Sequence, residues 1–161
     1  MSLAFHPSGL HLAVSFPDKI KLINIIDSDL VPYKELSQKN CYEVKFSNGG
    51  HLFAVVNSLM VQIYNFYTCE QPPNYQFKAL GGRFQCVVWE EDDLGIFLGT
   101  SDGTVLYNKL EDPTVRLTVL SVPGFSVRSI FSVFSSKDEK QGTVNERVVY
   151  AAGTFGANFE P

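Results

Sequence analysis

The chain alternates short apolar runs with turn-forming residues along most of its length. In the run from Ile20 to Asn24, Ile20 and Leu22 occupy alternate positions and Lys21 lies between them. A period of two is typical of a half-buried β-strand. Pairs such as Asp102-Gly103 separate the runs and favour tight hairpins. No segment sustains the spacing of an amphipathic helix, so the sequence predicts an all-β fold.

The same pattern returns at regular intervals. Comparable runs end at Asn24, Asn65 and Asn108, which are 41 and 43 residues apart. A second marker keeps these two intervals: Phe5-His6, Phe46-Ser47 and Trp89-Glu90. A repeat of about 40–45 residues is the length of one four-stranded blade of a β-propeller. The sequence therefore predicts a row of such blades.

We predict three complete blades and half of another, over residues 1–38, 39–81, 82–124 and 125–161. Propellers close into rings of about four to eight blades, so this fragment is not expected to close on its own. We therefore expect a truncated isoform, an incomplete gene model or a fragment of a longer protein. Relative to the third blade, the last one contains a polar insertion from Ser136 to Glu146, which predicts a loop.

Composition narrows the classes of function. The chain has 13 basic and 17 acidic residues and no basic stripe, which argues against binding nucleic acid or an acidic membrane surface. Three cysteines without C-x-x-C spacing indicate a reducing compartment rather than disulfides or a zinc site: Cys41, Cys69 and Cys86. There is no signal-peptide pattern or membrane-length apolar run, so we expect an intracellular, soluble protein.

One motif invites a catalytic interpretation. Gly99–Gly103 fits G-x-S-x-G, with Ser101 as the candidate nucleophile of an α/β-hydrolase. That nucleophile needs a helix directly after it, whereas Thr104 begins another apolar alternation. We therefore predict a hairpin turn, and no catalytic residue.

Metal binding is the other chemistry to weigh. His11 and His51 take equivalent positions in successive repeats by sequence, which indicates a repeated structural role, and His6 has no carboxylate or cysteine at ligand spacing. The acidic run Glu90–Asp93 lacks the alternation and the glycine of a calcium loop. We predict a solvated turn there, and no metal or cofactor.

The segment Gly99–Asn108 resembles the signature hairpin of WD-repeat proteins. Tyr107-Asn108 stands where that family has Trp-Asp, and Gly82-Arg83 stands where it has Gly-His. The resemblance implies a hydrogen-bond network of His, Ser or Thr, Asp and Trp in each blade. Thr100 and Asp102 are the members that remain here.

A narrower resemblance rests on three strings: Ser2–His11, Phe46–Asn57 and Val87–Asp93. Over roughly residues 2–108 the chain is similar to the first propeller of the cilia- and flagella-associated protein 57 family. The resemblance implies a protein with tandem propellers and a long coiled coil. It also implies an axonemal component associated with inner dynein arms.

We therefore expect a non-catalytic protein-interaction scaffold of the cytoplasm and cytoskeleton, in the axoneme of a cilium or flagellum. Its expected partners are other proteins, such as inner dynein arm or doublet-associated proteins, and no small-molecule substrate is expected. One alternative is a WD-repeat adaptor of another cytoplasmic complex, such as a ubiquitin-ligase substrate receptor. The other is a propeller enzyme, which would need acids, histidines or metal ligands converging on the central channel.

Two polar segments are candidates for docking, although no individual contact residue is predicted. They are residues 68–74 and 136–146. In propellers, the loops after the first and third strands of each blade emerge on one face, so these segments should share that face. The alternative is that both are tolerated surface insertions.

Overall fold

The computed structural model describes residues 1–27, 29–70, 73–139 and 142–156, with the backbone alone at 134–139 and 142–146. These residues form fourteen strands and no helix. Among them, accordingly, no helix is long and apolar enough to cross a membrane. The strands are β1 Leu3–Phe5, β2 His11–Ser15, β3 Lys19–Ile26, β4 Asp29–Ser37, β5 Glu43–Phe46, β6 Leu52–Val56, β7 Met60–Asn65, β8 Tyr75–Lys78, β9 Phe84–Trp89, β10 Gly95–Thr100, β11 Thr104–Lys109, β12 Arg116–Ser121, β13 Phe125–Glu139 and β14 Gly142–Phe155.

The strands form four antiparallel sheets in chain order. Sheet 1 contains β1 to β4, sheet 2 contains β5 to β8, sheet 3 contains β9 to β12, and sheet 4 contains β13 and β14. Within each sheet, every strand pairs with its neighbours in sequence, as short hairpin connections require. The predicted all-β propeller fragment, open rather than ring-closed, is confirmed.

The sheets pack face to face in a row, because alternate side chains of one strand point toward the sheets on either side of it. In β6, Phe53 and Val55 join the apolar cluster shared with sheet 1, and Ala54 and Val56 join the cluster shared with sheet 3. All five residues of β6 are buried, and so are all six of β10. Both strands are therefore covered on both faces, because successive side chains point to opposite sides.

The first strand of each sheet lies beside the first strand of the next. Three lateral hydrogen bonds join these strands or the residue just before β1: Val44 N–H to Ser2 Oγ at 3.2 Å, Val87 N–H to Glu43 Oε2 at 3.2 Å, and Arg128 Nη1 to Gln85 Oε1 at 3.0 Å. Each joins residues about one blade apart. The innermost strands are thus tied side by side, as expected around the axis of a propeller.

The structure corrects the predicted equivalence of His11 and His51. The N–H of His6 donates to the His11 carbonyl, and the N–H of Ser47 donates to the Leu52 carbonyl, both at 2.9 Å. His11 therefore matches Leu52, and His51 is one residue earlier. The two turns have the same length, so the 41-residue interval carries through them unchanged.

A similar one-residue slip affects Asn108. It lies opposite Ile96 and is fully buried, whereas Asn65 lies opposite Leu52 and is only partly buried. The turn after β10 holds one residue more than the turn after β6. Tyr64 rather than Asn65 therefore shares the position of Asn108, because one added residue reverses the side of the sheet that each later residue faces.

The predicted loop at Ser136–Glu146 is also corrected. Its residues at 136–139 and 142–146 extend β13 and β14, with Ser136 opposite Asn145 and Glu139 opposite Gly142. Residues 140 and 141 lie outside the described residues. The insertion therefore lengthens a hairpin instead of interrupting it.

Candidate protein-interaction face

One end of the sheet row carries the turns after the first and third strands of each sheet, and we call it the loop face. The turns after β1, β5 and β9 lie here, as do the segments that follow β3, β7 and β11. Antiparallel pairing alone puts them at one end, because every second connection returns to the same side. Contacts between neighbouring turns then hold the loop face together.

His6 joins the first two turns of the loop face. Its Nδ1 accepts a hydrogen bond from the Ser8 N–H at 3.1 Å, so its Nε2 carries the proton and donates to the Gly50 carbonyl at 3.0 Å. The imidazole packs against Phe66 and Phe46, with ring centroids 4.5 and 5.1 Å away. Burial lowers the pKa of His6, because removal from water disfavours the charged ring.

Asp93 joins the second and third turns. Its carboxylate accepts hydrogen bonds from the N–H of Asn48 and of Gly49, both at 2.7 Å, and from Asn48 Nδ2 at 2.9 Å. The His51 Nδ1 lies 3.9 Å from the same carboxylate. Asp93 has a positive φ of 59°, which an aspartate tolerates better than most residues. Its carboxylate thus caps the neighbouring turn.

Glu90 anchors the long hairpin to sheet 3. Its carboxylate forms an ion pair with Arg147 of β14 and accepts a hydrogen bond from the Tyr107 hydroxyl at 2.7 Å. The Arg147 guanidinium also lies over the Phe97 ring, 5.7 Å from its centroid. Burial raises the pKa of the Tyr107 hydroxyl to about 12, and the hydrogen bond to Glu90 adds to the rise.

The acidic run therefore differs from the predicted solvated turn. Glu91 and Asp92 are exposed at the turn, as expected, but Glu90 and Asp93 are buried and bind groups from neighbouring sheets. Sequence reasoning missed these two residues because their partners Asn48 and Arg147 lie more than 40 residues away. The available signal in the sequence was the run of four consecutive acidic residues, because a solvated hairpin turn does not require four of them.

The candidate docking segment at 68–74 follows β7 on the loop face. The Asn65 side chain caps its start by accepting hydrogen bonds from the N–H groups of Tyr67 and Thr68, at 2.9 and 3.2 Å. A groove of about 360 Å³ separates Thr68–Glu70 from Lys34–Ser37 on β4. Residues 71 and 72 lie outside the described residues. A groove between two adjacent sheets thus lies beside this segment.

At the opposite end, Thr100 and Asp102 form the contact that the WD-repeat resemblance implies. The Thr100 hydroxyl donates to the Asp102 carboxylate, which also accepts the Gly82 N–H at 3.0 Å. The Thr100 hydrogen bond lowers the pKa of Asp102 most, and the Gly82 N–H contributes further. A backbone N–H therefore takes the place of the missing histidine.

Ser101 lies in the same turn, and its hydroxyl accepts the Arg83 N–H at 2.9 Å. The strand β11 follows at Thr104, so Ser101 is not at the start of a helix. The hairpin prediction is confirmed. The geometry gives Ser101 a structural bond within sheet 3, between the turn after β10 and the residue that precedes β9.

The three histidines do not come together. His6 and His11 are neighbours, with ring centroids 5.4 Å apart, but His11 Nδ1 contacts Asn24 Oδ1 at 2.8 Å and His51 lies in another turn. In the part of the chain that the structure describes, no three His, Cys, Asp or Glu side chains are grouped as metal ligands. The three cysteines are free and buried.

Comparisons with known proteins identify relatives. No protein-family model matches the chain. It is 42% identical over 153 residues to cilia- and flagella-associated protein 57 A of Tetrahymena thermophila, a match that covers 94% of this chain and 12% of the relative. Protein 57 C of the same organism is 39% identical over 68% of the chain and 9% of the relative. Cilia- and flagella-associated protein 57 of Mus musculus is 38% identical over 65% of the chain and 8% of the relative. The chain thus spans a small part of the length of these relatives, and it is a homologue of cilia- and flagella-associated protein 57.

Proposed function

We propose that this chain is a non-catalytic scaffold segment of the cilium or flagellum, where its loop face binds other axonemal proteins. The observation that carries the proposal is the similarity along 94% of the chain to a cilia- and flagella-associated protein. Inner dynein arms are the partner that the sequence resemblance implies. We also propose that each sheet corresponds to one blade, with boundaries near residues 38, 81 and 124.

The construction of the loop face supports a binding role. Buried polar contacts of His6, Asp93 and Glu90 fix three neighbouring turns relative to one another. A rigid frame lowers the entropy lost when a partner binds. The two candidate segments rise from this frame, one beside the groove at Thr68–Glu70 and the other as the extension of β13 and β14.

A non-catalytic role agrees with the chemistry of the buried groups. The acids Glu90 and Asp93 are occupied by neighbouring hydrogen-bond donors, and Asp102 is occupied by Thr100 and Gly82. Among the described residues, the hydroxyl of Ser101 contacts the Arg83 N–H and no general base. A nucleophile without a base within hydrogen-bond reach lacks the usual means of activation.

The test replaces the two docking segments in a tagged chain expressed in ciliated cells. Residues 68–74 become a short Gly/Ser link, and residues 136–145 become an Asn-Gly turn joining Ser135 to Glu146, its partner in register. We expect the unaltered chain to remain with detergent-extracted axonemes and the double variant to be released. The double variant should keep a β-rich circular dichroism spectrum, reduced only by the removed part of β13 and β14.

The control is Ser58→Gly, which changes the turn Asn57-Ser58, at the opposite end of sheet 2, to Asn-Gly. This variant should stay with the axoneme. Retention of the double variant would reject the loop face as the docking surface. Absence of the unaltered chain from cilia, with detection in the cytoplasm alone, would reject the ciliary assignment in favour of a cytoplasmic adaptor.

A further inference from the structure

Asn48-Gly49 is the one place in the sequence where an asparagine precedes a glycine. Both residues are exposed in the turn between β5 and β6, so water reaches them. Asparagine in this pairing is prone to deamidation, because the glycine carries no side chain to obstruct attack by its own amide nitrogen. The turn therefore contains the reacting groups of a covalent modification.

The reaction involves two nitrogen atoms of this turn. The Gly49 amide nitrogen loses its proton and bonds to the side-chain carbonyl carbon of Asn48, and the side-chain nitrogen leaves with that proton as ammonia. Water then opens the five-membered succinimide ring to aspartate or to isoaspartate, which has one more carbon in the main chain. The nucleophile is thus Gly49 N, and the leaving group is Asn48 Nδ2.

Asp93, from the neighbouring turn of sheet 3, holds both of these groups. Its Oδ2 accepts a hydrogen bond from the Gly49 N–H at 2.7 Å, and its Oδ1 accepts one from Asn48 Nδ2 at 2.9 Å. The Glu90 carbonyl accepts a second hydrogen bond from Asn48 Nδ2 at 2.7 Å. The adjacent carboxylate disfavours loss of the Gly49 proton, because it would create a second negative charge beside the first. The contact between sheets 2 and 3 therefore restrains nucleophile and leaving group together.

Packing between the sheets also accounts for the glycine at position 49. A Cβ there would lie 3.2 Å from Asp93 Oδ2 and 3.2 Å from His51 Nδ1, which is closer than most atoms approach a Cβ. A larger residue would push the turn away from the carboxylate. The contact that restrains Asn48 thus requires the same small residue that makes Asn48 reactive.

We propose that Asn48 is a deamidation site that Asp93 keeps unreactive while sheets 2 and 3 are in contact at the loop face. Separation of the two turns frees the Gly49 N–H and the Asn48 amide, and the reaction follows. An aspartate product has a carboxylate facing that of Asp93 and no donor for the Glu90 carbonyl, so the turns do not return to their original contact. The modification is an irreversible loosening of the loop face, and it does not depend on the ciliary proposal.

The experiment follows deamidation at Asn48 by peptide mass spectrometry while the whole 161-residue chain is incubated at mildly alkaline pH. We expect the rate to be at least about tenfold lower in the folded chain than in the chain unfolded in guanidinium chloride, because only the locally open fraction reacts. Equal rates in the two states would overturn the proposal.

Asp93→Asn tests the residue that restrains the turn. Asparagine tolerates the positive φ of this position, but it has one acceptor oxygen where the carboxylate has two. The rate at Asn48 in the folded chain should rise at least about fivefold. Glu91→Gln removes a charge from an exposed position of the same turn and is the matched control, with an unchanged rate. A rate that Asp93→Asn leaves unchanged or lowers would overturn the proposal.

Asn57, in the turn at the opposite end of sheet 2, is the internal reference. Its rate should be the same with and without Asp93→Asn, and a parallel increase at Asn57 would overturn the proposal by assigning the effect to unfolding of the whole chain. Asn48→Asp reproduces one product of the reaction. It should unfold at a lower concentration of urea than Asn48→Ala, which also lacks the donor but adds no charge, and equal midpoints would overturn the loosening of the loop face.

Discussion

Glu90 and Arg147 form an ion pair that joins the end of β9 to the long hairpin. The side chain of Glu90 is 6% exposed and that of Arg147 is 27% exposed. Arg147→Ala would remove the ion-pair partner of a buried carboxylate that also accepts a hydrogen bond from the Tyr107 hydroxyl. We expect a loss of about 2–3 kcal/mol in the free energy of unfolding, because an uncompensated buried charge is costly. Urea unfolding measures the loss.

The double variant Glu90→Gln, Arg147→Met serves as the control for that experiment. Removing both charges should recover most of the stability, since the net value of a buried ion pair is small compared with the cost of breaking it. A loss below about 0.5 kcal/mol for Arg147→Ala would contradict the role of the pair in anchoring the hairpin.

Gly103 and Gly9 offer a comparison between two glycines with positive φ, 85° and 74°. A Cβ on Gly103 would overlap the carbonyl of Val122, whereas a Cβ on Gly9 would meet nothing within 4 Å. Gly9→Ala should cost about 1 kcal/mol from backbone strain alone, and Gly103→Ala should cost about 2–4 kcal/mol. Equal unfolding midpoints for the two variants would show that the turn after β10 relaxes freely.

The buried His6 predicts weaker folding in acid. Its pKa is lowered in the folded chain, so the unfolded chain takes up a proton first as the pH falls below about 6.5. The stability that depends on neutral His6 is therefore present above pH 6.5 and is lost as the pH falls through its folded pKa. The His11 ring lies beside it, with the two ring centroids 5.4 Å apart.

Thermal unfolding between pH 5 and 7.5 tests this assignment. His6→Gln should be less stable at pH 7.5 and should show a smaller decline toward pH 5 than the unaltered chain. His51→Gln changes a half-exposed histidine in the neighbouring turn and serves as the control. An equally steep decline in His6→Gln would assign the acid sensitivity to other groups.

Ser101 should behave as a structural residue. Ser101→Ala removes the acceptor for the Arg83 N–H in an exposed turn, which should cost about 0.5–1 kcal/mol. A fluorophosphonate probe of serine hydrolases should leave the unaltered chain unlabelled. Stoichiometric labelling at Ser101 would refute the hairpin assignment and the non-catalytic proposal together.

The fold could be predicted because strand alternation and turn residues are local signals. Val61 and Ile63 face the next sheet in alternation, and the turn at Asp102-Gly103 adopts the positive φ that its glycine favours. The 41-residue interval from Phe5 to Phe46 also holds in the structure, because the first turns of sheets 1 and 2 have the same length. Local pattern is sufficient wherever each strand pairs with its neighbour in sequence.

Contacts between sheets could not be predicted in the same way. Asp93 with Asn48 and Glu90 with Arg147 depend on how far one sheet rotates against the next, which no local pattern encodes. The slip at Asn108 has a related cause, since one extra turn residue leaves the residue type unchanged but moves it to the buried side. The sequence did not predict that β14 includes Gly142–Glu146, because polar residues in this segment are as compatible with a loop as with a strand.

The burial of β6 and β10 on both faces has a consequence for how the chain opens. Exposing the amide protons of either strand requires two interfaces to separate at once, whereas β1 and β14 lie at the ends of the row, next to a single sheet. Hydrogen exchange should therefore be slowest in β6 and β10 and faster toward both ends. Unfolding would then travel inward from the two outer sheets, and the middle of the row would be the last part to lose protection.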